Sequence, residues 1–303
     1  MKPEQAHSPP LGRDAVPQGR DPRTAQRAVP TTWLNLVCLD APIVALLWLW
    51  LFARNFDLPV LPGNAVALFL TAWLIYLADR LADAVSLPSA TPRSLRQEFC
   101  LRHRESWITG LLLVGGFDLY VIWRSIDAGT FLAGGIVGVL SIVYLAVNYP
   151  RGLTWRSLPA KEIVIGLLFT AGTLVALLPA IRPVTPASIA AGLAFACLCS
   201  LNCISIALWE RDLDRAQSKV SLATQYPGIA PYLRTICSLL ALLSFTMAII
   251  DRSAAAVFIC VAISALLLVI LDLLPLELRH DRRTALADLV LCTPIIPLIA
   301  MAS

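Results

Sequence analysis

The chain has 303 residues, of which 58% are hydrophobic and only 15% charged, with a mean hydropathy of +0.74. That composition excludes a protein with a fully water-exposed surface and predicts an integral membrane protein. The formal net charge of +4 reads as a signal of membrane topology, and no nucleic-acid partner is inferred from it.

Residues 1–31 are rich in Pro, Arg and Gln and nearly devoid of apolar side chains, so they cannot repay the entropy of folding and are expected to form a disordered cytoplasmic tail. Nine apolar runs follow, each long enough to cross about 30 Å of hydrocarbon. They lie near 32–54, 64–86, 105–124, 129–148, 160–181, 185–209, 230–250, 253–274 and 284–302. The first is expected to be a membrane span and not a signal peptide, because a long polar stretch precedes it and no small-residue cleavage site follows. No composition shift marks a second domain, so residues 32–303 are read as one all-α bundle of nine transmembrane helices. Within the fourth run, Gly134-x-x-x-Gly138 is the pattern of a close helix-packing face.

Orientation follows from the basic residues. With alternating sides, twenty of the 24 Lys and Arg residues fall on the side of the N-terminus, leaving Arg54, Arg124, Arg182 and Arg252 on the other. This places the N-terminus in the cytoplasm, the C-terminus outside, and the protein in a plasma or inner membrane. The cysteines are mostly in apolar runs without thiolate-site spacing, and His7, His103 and His280 are scattered, so they read as buried small hydrophobes and loop residues and not as a zinc site.

Two carboxylate pairs carry the functional signal: Asp79-x-x-x-Asp83 at the end of the second run and Glu210-x-x-x-Asp214 after the sixth. Residues four apart share one helix face, and both runs descend toward the cytoplasm, so four acids are level with each other at one interface. Further acids, Asp40, Glu162, Asp272, Asp288 and Asp118, lie in or beside the runs. A lone Asp at mid-bilayer costs roughly 2.5 to 3.5 kcal/mol on insertion scales, so each needs a partner, a cavity or a role. A polar cavity open to the cytoplasm is the expectation, with Asp40 and Asp288 as wall residues or as partners of a nearby Arg.

This ordered set resembles the UbiA-type intramembrane prenyltransferases, which have nine transmembrane helices and acidic motifs at the cytoplasmic ends of helices two and six. The first family motif is approximately N-D-x-x-D-x-x-x-D; here Asp79 and Asp83 match its last two acids, while Ile75 and Tyr76 stand at the Asn and first Asp. The second is similar to the stretch from Trp209 to Ser221, with Glu210 in place of an Asp, Asp214 retained, and Ile206 at the usual Asn. The segment with Tyr144, Leu158, Pro159, Ala160 and Lys161 is similar to the family's basic segment between helices four and five.

The resemblance implies that Mg²⁺, held by Asp79, Asp83, Glu210 and Asp214, bridges the protein to an isoprenoid diphosphate, whose prenyl group passes to a hydrophobic acceptor. Arg96, Arg102, Arg104, Lys161, Arg215 and Lys219 are candidates to bind the diphosphate oxygens, Lys161 first among them because it matches a family position. Trp73, Tyr76 and Tyr144 are candidates to stabilise an allylic cation. The lipid bilayer is a partner, and no obligate protein partner is inferred. Two other readings stay open: a non-catalytic membrane protein that binds isoprenoid diphosphates, and an ion-coupled transporter using Asp40 and Asp118.

Overall fold

In the computed structural model, residues 30–148, 161–180, 184–274 and 280–302 are described. The tail before residue 30, the segment 149–160 with Leu158, Pro159 and Ala160, and the arginines Arg182 and Arg279 lie outside the described residues. Among those residues the chain is all-helical, and six helices are long and apolar enough to cross a membrane: Pro62–Ser86, Arg104–Ser125, Ala128–Val147, Pro186–Trp209, Pro227–Ile250 and Arg252–Leu273. The protein is accordingly an all-α integral membrane protein.

The remaining three apolar runs are helical but shorter or interrupted. The first divides into α1 (Pro30–Leu36) and α2 (Asp40–Asn55). Its break has a local cause: Pro42 cannot accommodate a helical carbonyl four residues earlier, at Cys38, and Cys38 takes a left-handed conformation with φ of 58°. The interruption exposes carbonyls that a helix would have used, and the Trp73 indole donates to the carbonyl of Val37 at 3.0 Å. Satisfying such groups is obligatory where no water reaches them.

α3 (Pro62–Ser86) starts on a proline, whose missing N–H costs nothing in a first turn, and runs straight through both Asp79 and Asp83. After it, Ser94 and Gln97 form a reciprocal capping box that nucleates the short α4 (Leu95–Arg102). α5 (Arg104–Ser125) returns along α3, and α6 (Ala128–Asn148) packs mainly on α7 (Lys161–Leu174), which tightens into a 3₁₀ turn at Val175–Leu177. α8 (Pro186–Trp209) is the central helix, opened by a second capping box between Thr185 and Ser188. It ends at Glu210, and α9 (Arg211–Ala216) and α10 (Leu222–Gln225) turn across its end. α11 (Ala230–Ile250) and α12 (Ala255–Leu273) form a hairpin against α8.

The ninth run divides into α13 (His280–Val290) and α14 (Ile295–Ala302). Pro294 would clash with the carbonyl of Val290, and that carbonyl instead accepts a 2.9 Å bond from Ser264, while the Trp48 indole donates to the Leu291 carbonyl at 2.8 Å. Trp48 is fully buried and stacked on Phe195 of α8, with ring centroids 4.1 Å apart. The main core lies between α2, α8, α11, α12 and α13. By contrast α5 and α6 present apolar side chains outward, Leu112 and Trp123 being 73% and 82% exposed, as suits a surface covered by lipid.

The close helix approach lies elsewhere than the glycine pattern predicts. A methyl group added at Gly135 or Gly138 meets nothing within 4 Å, and one at Gly134 only touches Val175, so that stretch of α6 is not a tight packing face. It borders open space. The tight crossing is at Gly166 of α7, where an added Cβ would stand 2.6 Å from the backbone nitrogen of Ser200 on α8. Gly166→Val is therefore expected to lower stability by about 1–3 kcal/mol or more, since backbone must move to relieve the overlap. Gly116→Ala, where nothing lies within 4 Å, should leave the melting temperature in detergent unchanged; equal melting of the two variants would contradict this packing.

Candidate active site

One cavity of about 970 Å³ runs along α3, bounded by α6, α7 and α8. Asp79 and Asp83 face it from α3, four residues apart on one continuous helix, as their spacing requires. Glu210 and Asp214 face the same end, but not from one straight helix. Glu210 caps α8, and Asp214 lies in α9, with its backbone N–H still bonded to the Glu210 carbonyl at 2.8 Å. All four carboxylates thus line a single polar end of the cavity.

The basic residues around them divide into two groups. Lys161, Arg96 and Lys219 line the cavity, as does Tyr144. Arg102 and Arg104 are exposed at the junction of α4 and α5, and Arg215 is exposed and paired with Asp212 at 3.6 Å, so these three do not reach the site. Their physical role is the surface charge bias itself. Trp73 does not line the cavity either, because its indole is committed to the α1–α2 break.

Two ion pairs knit the acidic end together. Lys219 binds Asp83 at 2.5 Å, and Arg96 binds Glu210, whose other oxygen accepts a 3.0 Å bond from Thr284 of α13. Helix α4 stands between the motifs: it supplies Arg96 to one and, from the next residue, the Gln97 amide to Asp83 at 2.8 Å. Gln97 is itself locked by Gln217, whose amide donates to Gln97 at 2.9 Å and to the Pro92 carbonyl at 2.8 Å. Ser218 adopts a left-handed conformation with φ of 53°, turning the chain after α9 so that Lys219 points back at Asp83. Gln97 and Gln217 were not legible as site residues; the capping-box pattern around Ser94 was the one available signal.

Further residues complete the cavity wall. Arg80 lies over the ring of Tyr76 at 4.7 Å and bonds its hydroxyl, and both side chains line the cavity. Glu162 is buried, with one oxygen accepting the N–H of Leu222 at 3.2 Å. Asp288 lines the cavity, whereas Asp40 sits behind it: Asn35 donates to Asp40 at 2.7 Å and to Asp288 at 3.0 Å, and Asn202 donates to Asp288 at 3.2 Å. Amides, not an arginine, therefore hold this acid pair. Asp272 is remote from the cavity and bonded to Trp209 and Arg234.

Burial raises the Asp214 carboxyl above the usual carboxylate range; Lys161 and Lys219 oppose that shift, Glu210 adds to it and Ser221 bonds the charged form. In the helix-α4 plug, burial likewise pushes the Cys100 thiol up to about 11, so it remains a thiol at neutral pH. Among the described residues no three Asp, Glu, His or Cys side chains converge closely enough to chelate an ion by themselves. The donor set nonetheless suits Mg²⁺ in its phosphate-bridged mode, in which one or two hard carboxylates and several phosphate or water oxygens share the ion.

No family model matches the chain, and no similar sequence was found among curated proteins.

Removing either member of the Arg96–Glu210 pair leaves a desolvated charge. Arg96→Ala and Glu210→Ala are each expected to cost about 1.5–3 kcal/mol in unfolding measurements. The double variant should lose less than the sum of the two, and strict additivity would show that the pair is not coupled. For Asp214, the native carboxyl holds its proton to a higher pH than the unfolded chain does. Its ionisation thus costs stability as pH rises through the native value. Asp214→Asn is expected to raise the melting temperature at neutral pH, with the gain vanishing below about pH 3.9, where the carboxyl is protonated in both states.

Proposed function

We propose that the protein is a membrane-bound, Mg²⁺-dependent prenyltransferase of the UbiA type, with nine crossings and its acidic end at the cytoplasmic face of a plasma or inner membrane. The observation that carries this reading is the gathering of both acidic pairs with Arg80, Arg96, Lys161 and Lys219 at one end of a cavity whose remaining wall is largely apolar. Such a shape suits a ligand with a multiply charged head and a hydrocarbon tail.

In this reading, Lys161 is the first contact for the diphosphate, because among the described residues it forms no ion pair and lines the cavity beside Asp214. Arg96 and Lys219 exchange carboxylate partners for phosphate oxygens, which frees Glu210 and Asp83. Mg²⁺ would be held by Asp79, Asp83, Glu210 and Asp214 together with phosphate oxygens, supplying Lewis-acid neutralisation of the charge that develops on the leaving diphosphate. The Tyr76 and Tyr144 rings face the carbon left electron-poor as the C–O bond breaks, and the apolar wall of α6 and α7 keeps water from capturing it. Arg80 holds Tyr76 in place.

One observation favours a second reading. Tyr76 occupies the position of a family acid and is bonded to Arg80, and Asp83 and Glu210 are ion-paired. A protein that binds isoprenoid diphosphates without turning them over would have this character.

Purified protein incubated with Mg²⁺, labelled C10 to C20 isoprenoid diphosphates and a panel of acceptors should release diphosphate and form a prenylated product. Asp79→Asn and Asp214→Asn are expected to reduce turnover by about 100-fold or more, the scale on which loss of a preorganised charge acts. Mg²⁺-dependent binding without product would support the second reading, and absence of such binding would overturn both.

A further inference from the structure

The cavity has a second polar layer. On α3, Thr71 lies eight residues before Asp79, about 12 Å along the helix axis, and its hydroxyl donates to Asp118 of α5 at 2.7 Å. Asp118 is 4% exposed and lines the cavity, and among the described residues its second oxygen has no hydrogen-bond partner. Two other groups in this half share that condition. Asn64 of α3 and Thr173 of α7, 6% and 1% exposed, line the cavity with Asn64 Oδ1 and Thr173 Oγ1 unpartnered. Thr173 is twelve residues from Lys161, about 18 Å along α7, so it stands at a depth similar to that of Thr71.

Between the acidic end and this layer the α3 and α7 walls are apolar, built by Ala72, Ile75, Ile165, Leu168 and Phe169, while Asn202 of α8 and Asp288 of α13 face the cavity from the other side. A ligand that was hydrocarbon throughout its tail would fit that middle section but leave three desolvated polar atoms unpaired at the far end. Sites built to hydrogen-bond a ligand reject the analogue that lacks the bonding group, because their own polar atoms are then stranded. A hydroxyl both donates to a carboxylate or amide oxygen and accepts from a threonine, so it is the smallest function able to serve Asp118, Asn64 or Thr173.

We propose that the far end of the cavity, centred on Asp118 and Thr71, binds a hydroxyl group carried on the hydrocarbon chain of an amphiphilic ligand. The ligand is then polar at both ends and apolar between them. Only the nature of its charged head rests on the function proposed above; the hydroxyl site stands on the far-end groups themselves.

The test uses two matched pairs of probes on the full chain in detergent: dodecyl phosphate against 12-hydroxydodecyl phosphate, and dodecane against 1-dodecanol. Binding is read by calorimetry and by the shift in melting temperature. The hydroxylated member of each pair is expected to bind at least about tenfold tighter, and Asp118→Leu should abolish that preference while retaining affinity for dodecyl phosphate. Equal binding within both pairs, or no binding by any probe, would overturn the proposal on the wild-type chain alone, whatever the folding of the variant. A preference that persists in Asp118→Leu and in Thr173→Val would overturn it as well. Phosphates that bind no better than their headless counterparts would instead count against the head-group site, and the headless pair would still decide the far end.

Discussion

Charge compensation at the acidic end of the bundle is the constraint on which the site depends. Four carboxylates at one end of a cavity repel one another, and the fold contains that repulsion by threading cations and amides between them. Asp83 takes Lys219 and Gln97, and Glu210 takes Arg96 and Thr284. Because Arg96 and Gln97 are adjacent on α4, one short helix serves both motifs at once. The capping box that starts α4 is therefore part of the site's architecture, since it fixes which of its residues face which acid.

A second demand, satisfaction of backbone polar groups in hydrocarbon, governs the interrupted segments. Proline ends α1 and α13 early, and three carbonyls at these breaks find donors from side chains on other helices: Trp73 for Val37, Ser264 for Val290 and Trp48 for Leu291. These bonds tie the interrupted elements to α2, α3 and α12. The Asn35 amide, held near the first break, reaches both Asp40 and Asp288, so the same irregularity that costs helical hydrogen bonds also supports the buried acid pair.

The long apolar helices were legible because hydropathy and length leave little alternative once a run exceeds the bilayer thickness. Asp79 and Asp83 share a face as their spacing demands. Glu210 and Asp214 reach the same cavity by another route, because α8 stops at Glu210 and the chain turns into α9. The breaks near Pro42 and Pro294 were present in the sequence, but an overall hydropathy run conceals them. Least legible were the partners. Arg96 and Lys219 could not be separated from Arg102, Arg104 and Arg215 by sequence, since all five sit between or at the ends of the apolar runs, where the charge bias places basic residues regardless of use. Only the turn at Ser218 and the placement of α4 distinguish them.

The two ion pairs also have a bearing on biogenesis. Arg96 and Glu210 are 114 positions apart in the chain, and Asp83 and Lys219 are farther apart still. A ribosome must therefore complete α5 through α8 before Arg96 can meet Glu210, and α9 as well before Asp83 can meet Lys219. Until then Asp83 and Arg96 have their later partners unsynthesised, and the N-terminal helices cannot reach their final arrangement alone. The acidic end is consequently among the last parts of the molecule to assemble, and contacts of such long sequence separation are the ones whose formation loop closure slows. A chain that stops before Lys219 leaves Asp83 without the cation that pairs with it in the finished fold.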